Sequence, residues 1–398
     1  MNHTQLLFIT TSSLASNPRL VKEFEVLKNE FSCHVLCFKH QDWSMELSET
    51  IKSNNPEVNF IEIDRKSAII TTIICKIIHK VSISINSTFP KSFKVCAFAN
   101  NDKALQLWFK AKTLDKKTKF SRVIAHNLGA FYAAVKFSDK KSSALQLDIE
   151  DFYPGEALYF NKKIEKQNRM ELMAHGFIRA ESITYASKGI QLECAKHFNV
   201  PTETKQETII NAFKADDFLQ PKDYTSDTIK AVWFSQHIGP NRGLEQVFEA
   251  ANSLKHIEFH LIGNKNQDYL DTFILNTNVI VHDIMKQEEL HEFLSHMDVG
   301  LALENVNADL NRDICLTNKF LAYAQAGLYI LATDTFGQTQ FMNSLHYKSG
   351  VIIDKTLKEA LIELDENEIA IATKIQRWQK AKLFAWETEQ LKLKQLLT

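Results

Sequence analysis

The chain has 398 residues, 44 % of them hydrophobic, with 47 Lys and Arg against 48 Asp and Glu. That length and apolar content provide more than one core and suggest two or three domains, which excludes collagen-like, low-complexity and disordered chains. The near-zero net charge argues against a dedicated nucleic-acid binder.

Six scattered cysteines, Cys33, Cys37, Cys75, Cys96, Cys194 and Cys315, form no Cys-x-x-Cys pair. Reduced thiols in the cytoplasm are the expectation. Leu6 to Ile9 is too short for a signal h-region, and no apolar run reaches the roughly 18 residues of a membrane span.

Short apolar runs alternate with amphipathic stretches, the pattern of repeated strand–helix units around parallel sheets. The predicted strands are Leu6 to Thr11, Cys33 to Phe38, Val58 to Ile63, Val123 to Ala125, Leu145 to Asp148 and Ile183 to Ala186. A second series comprises Ala231 to Phe234, Phe259 to Ile262, Val279 to His282, Val299 to Leu303, Leu328 to Ala332 and Val351 to Ile353. The pattern predicts an α/β chain of two Rossmann-like doubly wound lobes, residues 1–213 and 231–365, with a cleft between them. Polar residues 214–230, with Asp216, Asp217 and Asp223, read as a linker. Residues 366–398, with Ile371, Ile375, Trp378, Leu383 and Trp386, read as a C-terminal helix that closes the second lobe or crosses back to the first.

Charge is uneven along the chain. From Arg65 to Arg122 there are thirteen basic residues, among them Lys76, Lys80, Lys91, Lys94, Lys116 and Lys117, against Asp102 and Asp115. The apolar stretch Ile69 to Lys80 reads either as a basic amphipathic surface for an anionic membrane or as a buried helix beside a solvated lysine face.

Polar loops at strand ends carry the candidate chemistry. Asn17 is placed to cap a helix that opens at Pro18, in a loop with Ser13, Ser16 and Arg19. His126 and Asn127 follow the fourth strand, and Asp148 ends the fifth, with Glu150, Asp151 and Glu156 after it. Clustered carboxylates at a strand's end raise pKa values and prepare a proton acceptor, whereas capping and a satisfied loop histidine are the plain alternative. In the second half, Gln236, His237, Arg242 and Gly243 read as a polar turn leading to a helix with Arg242 in its first turn. Thr317, Asn318 and Lys319 open another helix, and Thr335, Gly337 and Gln338 follow a strand and offer oxygens to sugar hydroxyls. Two cations at two helix starts suit a diphosphate.

Taken in order, Ser16-Asn17-Pro18-Arg19-Leu20, His126 to Ala130, the Asp-x-Glu-Asp of 148–151 and the Ser-Gln-x-Ile-Gly-Pro-x-Arg-Gly-Leu-Glu of 235–245 resemble a known family. Thr317 to Phe320, Ala326-Gly327-Leu328, Asp334 to Gln338 and Phe384 to Glu387 complete the series. The chain is similar to glycosyltransferases of the two-lobed GT-B type, family 4, and especially to bacterial cell-surface polysaccharide members. The resemblance implies a donor site at Gln236, His237, Arg242, Gly243, Thr317, Asn318, Lys319, Thr335, Gly337 and Gln338. Arg242 and His237 stand where the family has its phosphate-facing Lys and Arg, and Glu150 stands where many members have a His. Glu150, Asp151 and His126 are then the candidate catalytic groups, and Ser13, Ser16, Asn17, Arg19 and Asn127 the acceptor contacts. Ile314 and Ala322 replace the two Glu of the family's Glu-x7-Glu motif.

The implied activity is transfer of a sugar from a UDP- or GDP-sugar to a glycan or lipid-linked acceptor, retaining and metal-independent, with no cofactor and no nucleic-acid partner. The implied location is the inner face of the cytoplasmic membrane. A sugar-nucleotide epimerase or hydrolase, a non-catalytic partner subunit and a membrane-surface adaptor stand as alternatives at this stage.

Overall fold

A computed structural model describes residues 4–42, 44–114, 118–159, 161–222, 228–305 and 308–397. Lys116, Lys117, Asp115 and Asp223, all part of the sequence reading, lie outside the described residues.

The chain forms two compact units, the first comprising Met1–Ala186, Ile190–Ile209 and Lys392–Thr398, the second Ser187–Gly189 and Ile210–Leu391. In the first, the strands are β1 (Gln5–Thr10), β2 (Ser32–Lys39), β3 (Asn59–Asp64), β4 (Phe120–His126), β5 (Ala144–Ile149), β6 (Ser182–Tyr185) and β7 (Lys205–Thr208). They make one seven-stranded sheet in the order β3-β2-β1-β4-β5-β6-β7, with every pairing parallel. In the second, β8 (Ile229–Ile238), β9 (Ile257–Lys265), β10 (Val279–His282), β11 (Val299–Ala302), β12 (Tyr329–Thr333) and β13 (Gly350–Ile353) form a parallel sheet in the order β10-β9-β8-β11-β12-β13. Two doubly wound lobes are thus present. Helices cover both sheet faces, so central strands such as β1 are buried on both sides and read as continuous apolar runs.

Three differences from the sequence reading have physical causes. The edge strand β7 reads Lys-Gln-Glu-Thr and carries no apolar run to betray it. Strand β8 continues past Phe234 to Ile238 across an irregularity in its pairing with β9, so Gln236 and His237 lie on an exposed strand end rather than in a turn. The expected linker also begins inside a core: Phe218 is buried, stacks on His291 at 4.2 Å between ring centres and accepts a hydrogen bond from Trp378 Nε1. Residues 214–222 therefore belong to the second unit.

The helix Ile69–Ile85 is turned inside out. Its buried side chains are Thr72, Cys75 and Ser82, whereas Ile70, Ile73, Ile77 and Val81 are 77 %, 52 %, 55 % and 52 % exposed. It is not the ordinary buried helix. No helix among the described residues is long and apolar enough to cross a membrane.

The C-terminal residues divide into the helices Glu366–Ile369, Ile371–Ala381 and Trp386–Leu397. The last of these is shared: through Leu391 it groups with the second unit, and from Lys392 with the first. Leu393 and Leu396 are buried, Lys392 Nζ donates to Thr208 O at 3.3 Å and Lys394 pairs with Glu30.

Beneath the carboxyl ends of the first sheet lies a buried ion pair. Asn17 caps the helix Pro18–Leu27 through Leu20 N, as the loop sequence predicts, and this start points Arg19 inward. Its Nε and Nη2 donate to the two oxygens of Asp148 on β5 at 2.6 and 2.7 Å, and its Nη1 donates to Ile209 O at 2.6 Å. Thr184 on β6 donates its hydroxyl to Asp148 at 2.5 Å. One guanidinium thus ties the first helix, β5 and the segment after β7. Burial works against the Asp148 carboxylate, yet Arg19 and His126 hold it below the usual range.

Replacing Arg19 by Met leaves Asp148 buried without its partner, and chemical denaturation should show a loss of about 3–5 kcal/mol. Because Asp148 binds its proton less readily folded than unfolded, its stabilisation is present above the unfolded carboxylate pKa of about 3.9 and is lost as pH falls below it. Acid unfolding should accordingly be steeper for the native protein than for Asp148→Asn.

Candidate functional site

In the first sheet the chain order reverses between β1 and β4, so the loops leaving these strands diverge and open a crevice at their carboxyl ends. A cavity of about 350 Å³ occupies this place. Thr11 and Ser12 after β1, Asn127 to Gly129 after β4, and Glu150 and Asp151 after β5 line it. The size falls within the range of small-molecule sites.

Asn127 locks the crevice floor. Its backbone takes φ 62° and ψ 154°, a region almost reserved for glycine, and the side chain compensates. Its amide donates to Thr10 Oγ1 at 2.7 Å and to Ser12 Oγ at 3.3 Å, and its oxygen accepts from Thr11 Oγ1 at 2.7 Å. Gly129 beside it has no room for a side chain, since a Cβ would lie 2.6 Å from Asn101 Nδ2 and 2.8 Å from Thr11 Cγ2.

His126 lies wholly buried below this floor. Its Nδ1 sits 3.1 Å from Glu150 Oε1 and 3.2 Å from Asp148 Oδ2, and its Nε2 sits 3.3 Å from Glu23 Oε2. Carboxylates at both ring nitrogens match an imidazolium, which donates from both. Burial opposes that charge, but Glu23, then Asp148 and Glu150, outweigh it and raise the His126 pKa well above its ordinary value. Burial and Asp148 push the Glu23 carboxyl up, with His126 opposing. Glu23, His126 and Asp148 are the group of metal-type ligands found among the described residues. Arg19 already engages both Asp148 oxygens, so this donor set does not fit a resident cation.

The structure therefore reassigns several sequence candidates. Glu150, Asp151 and Asn127 line the cavity, while His126 reaches it only through Glu150. Arg19 and Asn17 face inward, held by Asp148 and the helix start. Ser13 is buried and hydrogen-bonded to Ser16 and Ser44, and exposed Ser16 closes that turn. Glu23, missed in the sequence, sits one helical turn after Arg19 on a face that otherwise reads as apolar.

The second unit repeats the reversal between β8 and β11. The helix Leu244–Ser253 is capped by Gly243 at φ 74°, with a Cβ position only 3.0 Å from Leu303, so Arg242 precedes the helix instead of standing in its first turn. Among the described residues no partner pairs with the Arg242 guanidinium. Lys319, in the helix Asn318–Gln325 that Thr317 caps, is buried; its Nζ donates to Leu303 O at 2.7 Å, meets Glu304 Oε1 at 3.0 Å and lies over the Trp233 ring. Burial lowers the Lys319 pKa, Glu304 opposes this, and the charge of nearby Arg242 lowers it further. Glu304 is a missed residue whose only sequence signal is its position one residue beyond a buried strand.

The remaining donor candidates serve the fold. Asn318 accepts from Asn211 Nδ2. Thr335 caps the helix Phe336–Ser344, and Gln338, fully buried, donates to Thr333 and Thr335. A Cβ on Gly337 would lie 2.1 Å from Cys315 O. Thr335 and Gln338 point into the protein rather than offering oxygens to a sugar, whereas Asn318 is exposed.

The sequence matches no protein-family model and no curated protein. Solved structures do resemble the whole chain. HepE from Anabaena in complex with UDP and glucose superposes with a TM-score of 0.66 at 11 % identity, over 99 % of both chains. Sucrose-phosphate synthase from Thermosynechococcus elongatus gives 0.67 at 10 % identity over 99 % of this chain and 98 % of that one. The lipopolysaccharide outer core galactosyltransferase WaaB gives 0.61 at 10 % identity over 99 % of both. The chain has the two-lobed fold of the GT-B glycosyltransferases.

Proposed function

We propose that this protein transfers a sugar from a nucleotide-diphosphate donor to a glycan or lipid-linked acceptor in the making of a surface polysaccharide. The observation that carries the reading is Arg242, unpaired among the described residues, beside buried Lys319 at the strand-order reversal of the second sheet. Arg242 and a helix start at one point suit a diphosphate, with Lys319 and its partner Glu304 behind them, and HepE, which shares the fold, was solved with UDP and glucose. Charge that grows on the departing nucleotide is stabilised by groups already in place. Gln236 and His237 on the exposed end of β8 extend that surface. In the first unit, Glu150 on the cavity wall orients or deprotonates the acceptor hydroxyl, with Asp151 alongside. His126 is a positioning residue that holds Glu150 from beneath. We take the transfer to be a retaining, metal-independent hexosyl transfer, because cations of the protein supply the charge compensation.

We also place the inside-out helix Ile69–Ile85 on an anionic membrane face. Its exposed isoleucines form an apolar stripe, and Lys76, Lys80, Lys91 and Lys94 are exposed on and beside it. Apolar residues with flanking lysines suit the headgroup boundary of an anionic bilayer. A lipid-linked acceptor would be met at that surface.

In a thermal-shift panel of UDP, GDP, ADP and CMP with their sugar conjugates, a selective nucleotide at about 100 times its Kd should add about 2.7 kcal/mol of stability. Arg242→Ala should abolish that shift and lower turnover by about two orders of magnitude or more. Its unliganded stability should stay within about 0.5 kcal/mol of the native protein, since the guanidinium has no partner among the described residues to lose. No shift with any nucleotide would move the reading to a non-catalytic partner. The protein should float with anionic liposomes at low salt and not with neutral ones, and Ile70→Glu with Ile77→Glu should stay with the soluble fraction. Flotation of that double variant would remove the helix from the membrane contact.

A further inference from the structure

The cavity in the first unit has a charge of its own that the acceptor must match. Glu150, Asp151 and Glu156 stand on its wall against a single cation, Arg169. That cation is already committed: Arg169 Nη1 donates to Glu156 Oε2 at 2.8 Å and to Tyr153 O at 2.7 Å, and its Nη2 donates to Glu165 Oε1 at 2.5 Å. The His126 imidazolium beneath the wall is held by Glu23, Asp148 and Glu150, and Lys103 is held by Thr11 O at 2.9 Å and His40 Nε2 at 3.0 Å. Amide and hydroxyl groups of Asn100, Asn101, Thr11 and Ser12 complete the wall. Tyr153, also on the wall and 6 % exposed, keeps a buried hydroxyl with no hydrogen-bond partner among the described residues.

A carboxylate or phosphate entering this cavity would lose its hydration, meet three carboxylates and find, among the described residues lining it, no uncommitted guanidinium or ammonium to pair with. An ammonium would meet the opposite. We propose that the acceptor sugar seated here carries a free amino group, that the same sugar without it binds more weakly, and that a uronic acid or sugar phosphate is excluded. This rests on the reading of the cavity as the acceptor site, and it adds the charge class of the acceptor. Selectivity comes from repulsion of the wrong sugar as much as from attraction of the right one.

The test is binding of methyl glucosaminide, methyl glucoside and methyl glucuronide to the full-length protein at pH 7, followed by ligand-observed NMR titration at low and high salt. The amino sugar should bind about tenfold or more tighter than the glucuronide, with the glucoside between them, and the gap should narrow at high salt as charges are screened. Asp151→Asn should shrink the preference. Glu156→Gln, which releases Arg169 Nη1 from its carboxylate, should relax the exclusion of the glucuronide. Equal affinities, or tighter binding of the glucuronide, would overturn the charge assignment and leave the acceptor site standing. Binding of none of the three, in a protein that still responds to a nucleotide, would overturn the cavity as an acceptor site and the charge assignment with it.

Discussion

The first unit depends on one salt bridge placed where no water reaches it. Arg19 is 4 % exposed and Asp148 fully buried, and a charge pair at such depth is tolerable only when its remaining polar atoms are also satisfied. Here they are, by Ile209 O and the Thr184 hydroxyl. The arrangement reaches further, because Asp148 also faces His126, and His126 faces Glu23 and Glu150. Charges alternate from the helix Pro18–Leu27 to the cavity wall. A change in any member leaves its neighbours with an uncompensated charge in a low-dielectric setting, so the position of Glu150 is coupled to residues that touch no ligand.

The second unit handles charge differently. Lys319 is desolvated and compensated by Glu304 and Leu303 O, whereas Arg242 stands ahead of its helix with no partner among the described residues. One cation is spent within the protein, and the other has no partner among the described residues. The proposed donor site at the strand-order reversal of the second sheet rests on this asymmetry more than on the number of basic residues.

Strands β1 to β6 and β8 to β13 were legible because parallel strands covered on both faces leave apolar runs, and the two-lobed architecture follows from their spacing. Polar loop residues were less legible. A Ser, Thr, Asn or Gln at a strand end reads the same whether it caps a helix, as Thr335 and Asn17 do, or lines a cavity, as Thr11 does. Arg19 lay in a loop-to-helix sequence that suits a ligand contact, and only the angle at which Pro18 starts the helix turns it inward. The isoleucines of Ile69–Ile85 were ambiguous for a related reason: periodicity shows that a stripe exists without saying which side meets the protein. Glu23 and Glu304 were silent because each acquires meaning only from its partner, His126 and Lys319 respectively, which the fold brings to it.

The helix Trp386–Leu397 has a consequence for how the chain folds during synthesis. Its Lys392 bonds to Thr208, 184 positions earlier, and its Leu393 and Leu396 bury with the first unit. The β-sheet of that unit leaves the ribosome long before these residues do. Until they arrive, the surface that Leu393 and Leu396 cover stays open, and the first unit waits in an incomplete state while the entire second unit is made. N-terminal domains generally finish folding first as the chain emerges, and here that order is interrupted. A chaperone that shields apolar surface on a growing chain would find its longest-lived target in the half of the protein that is made first.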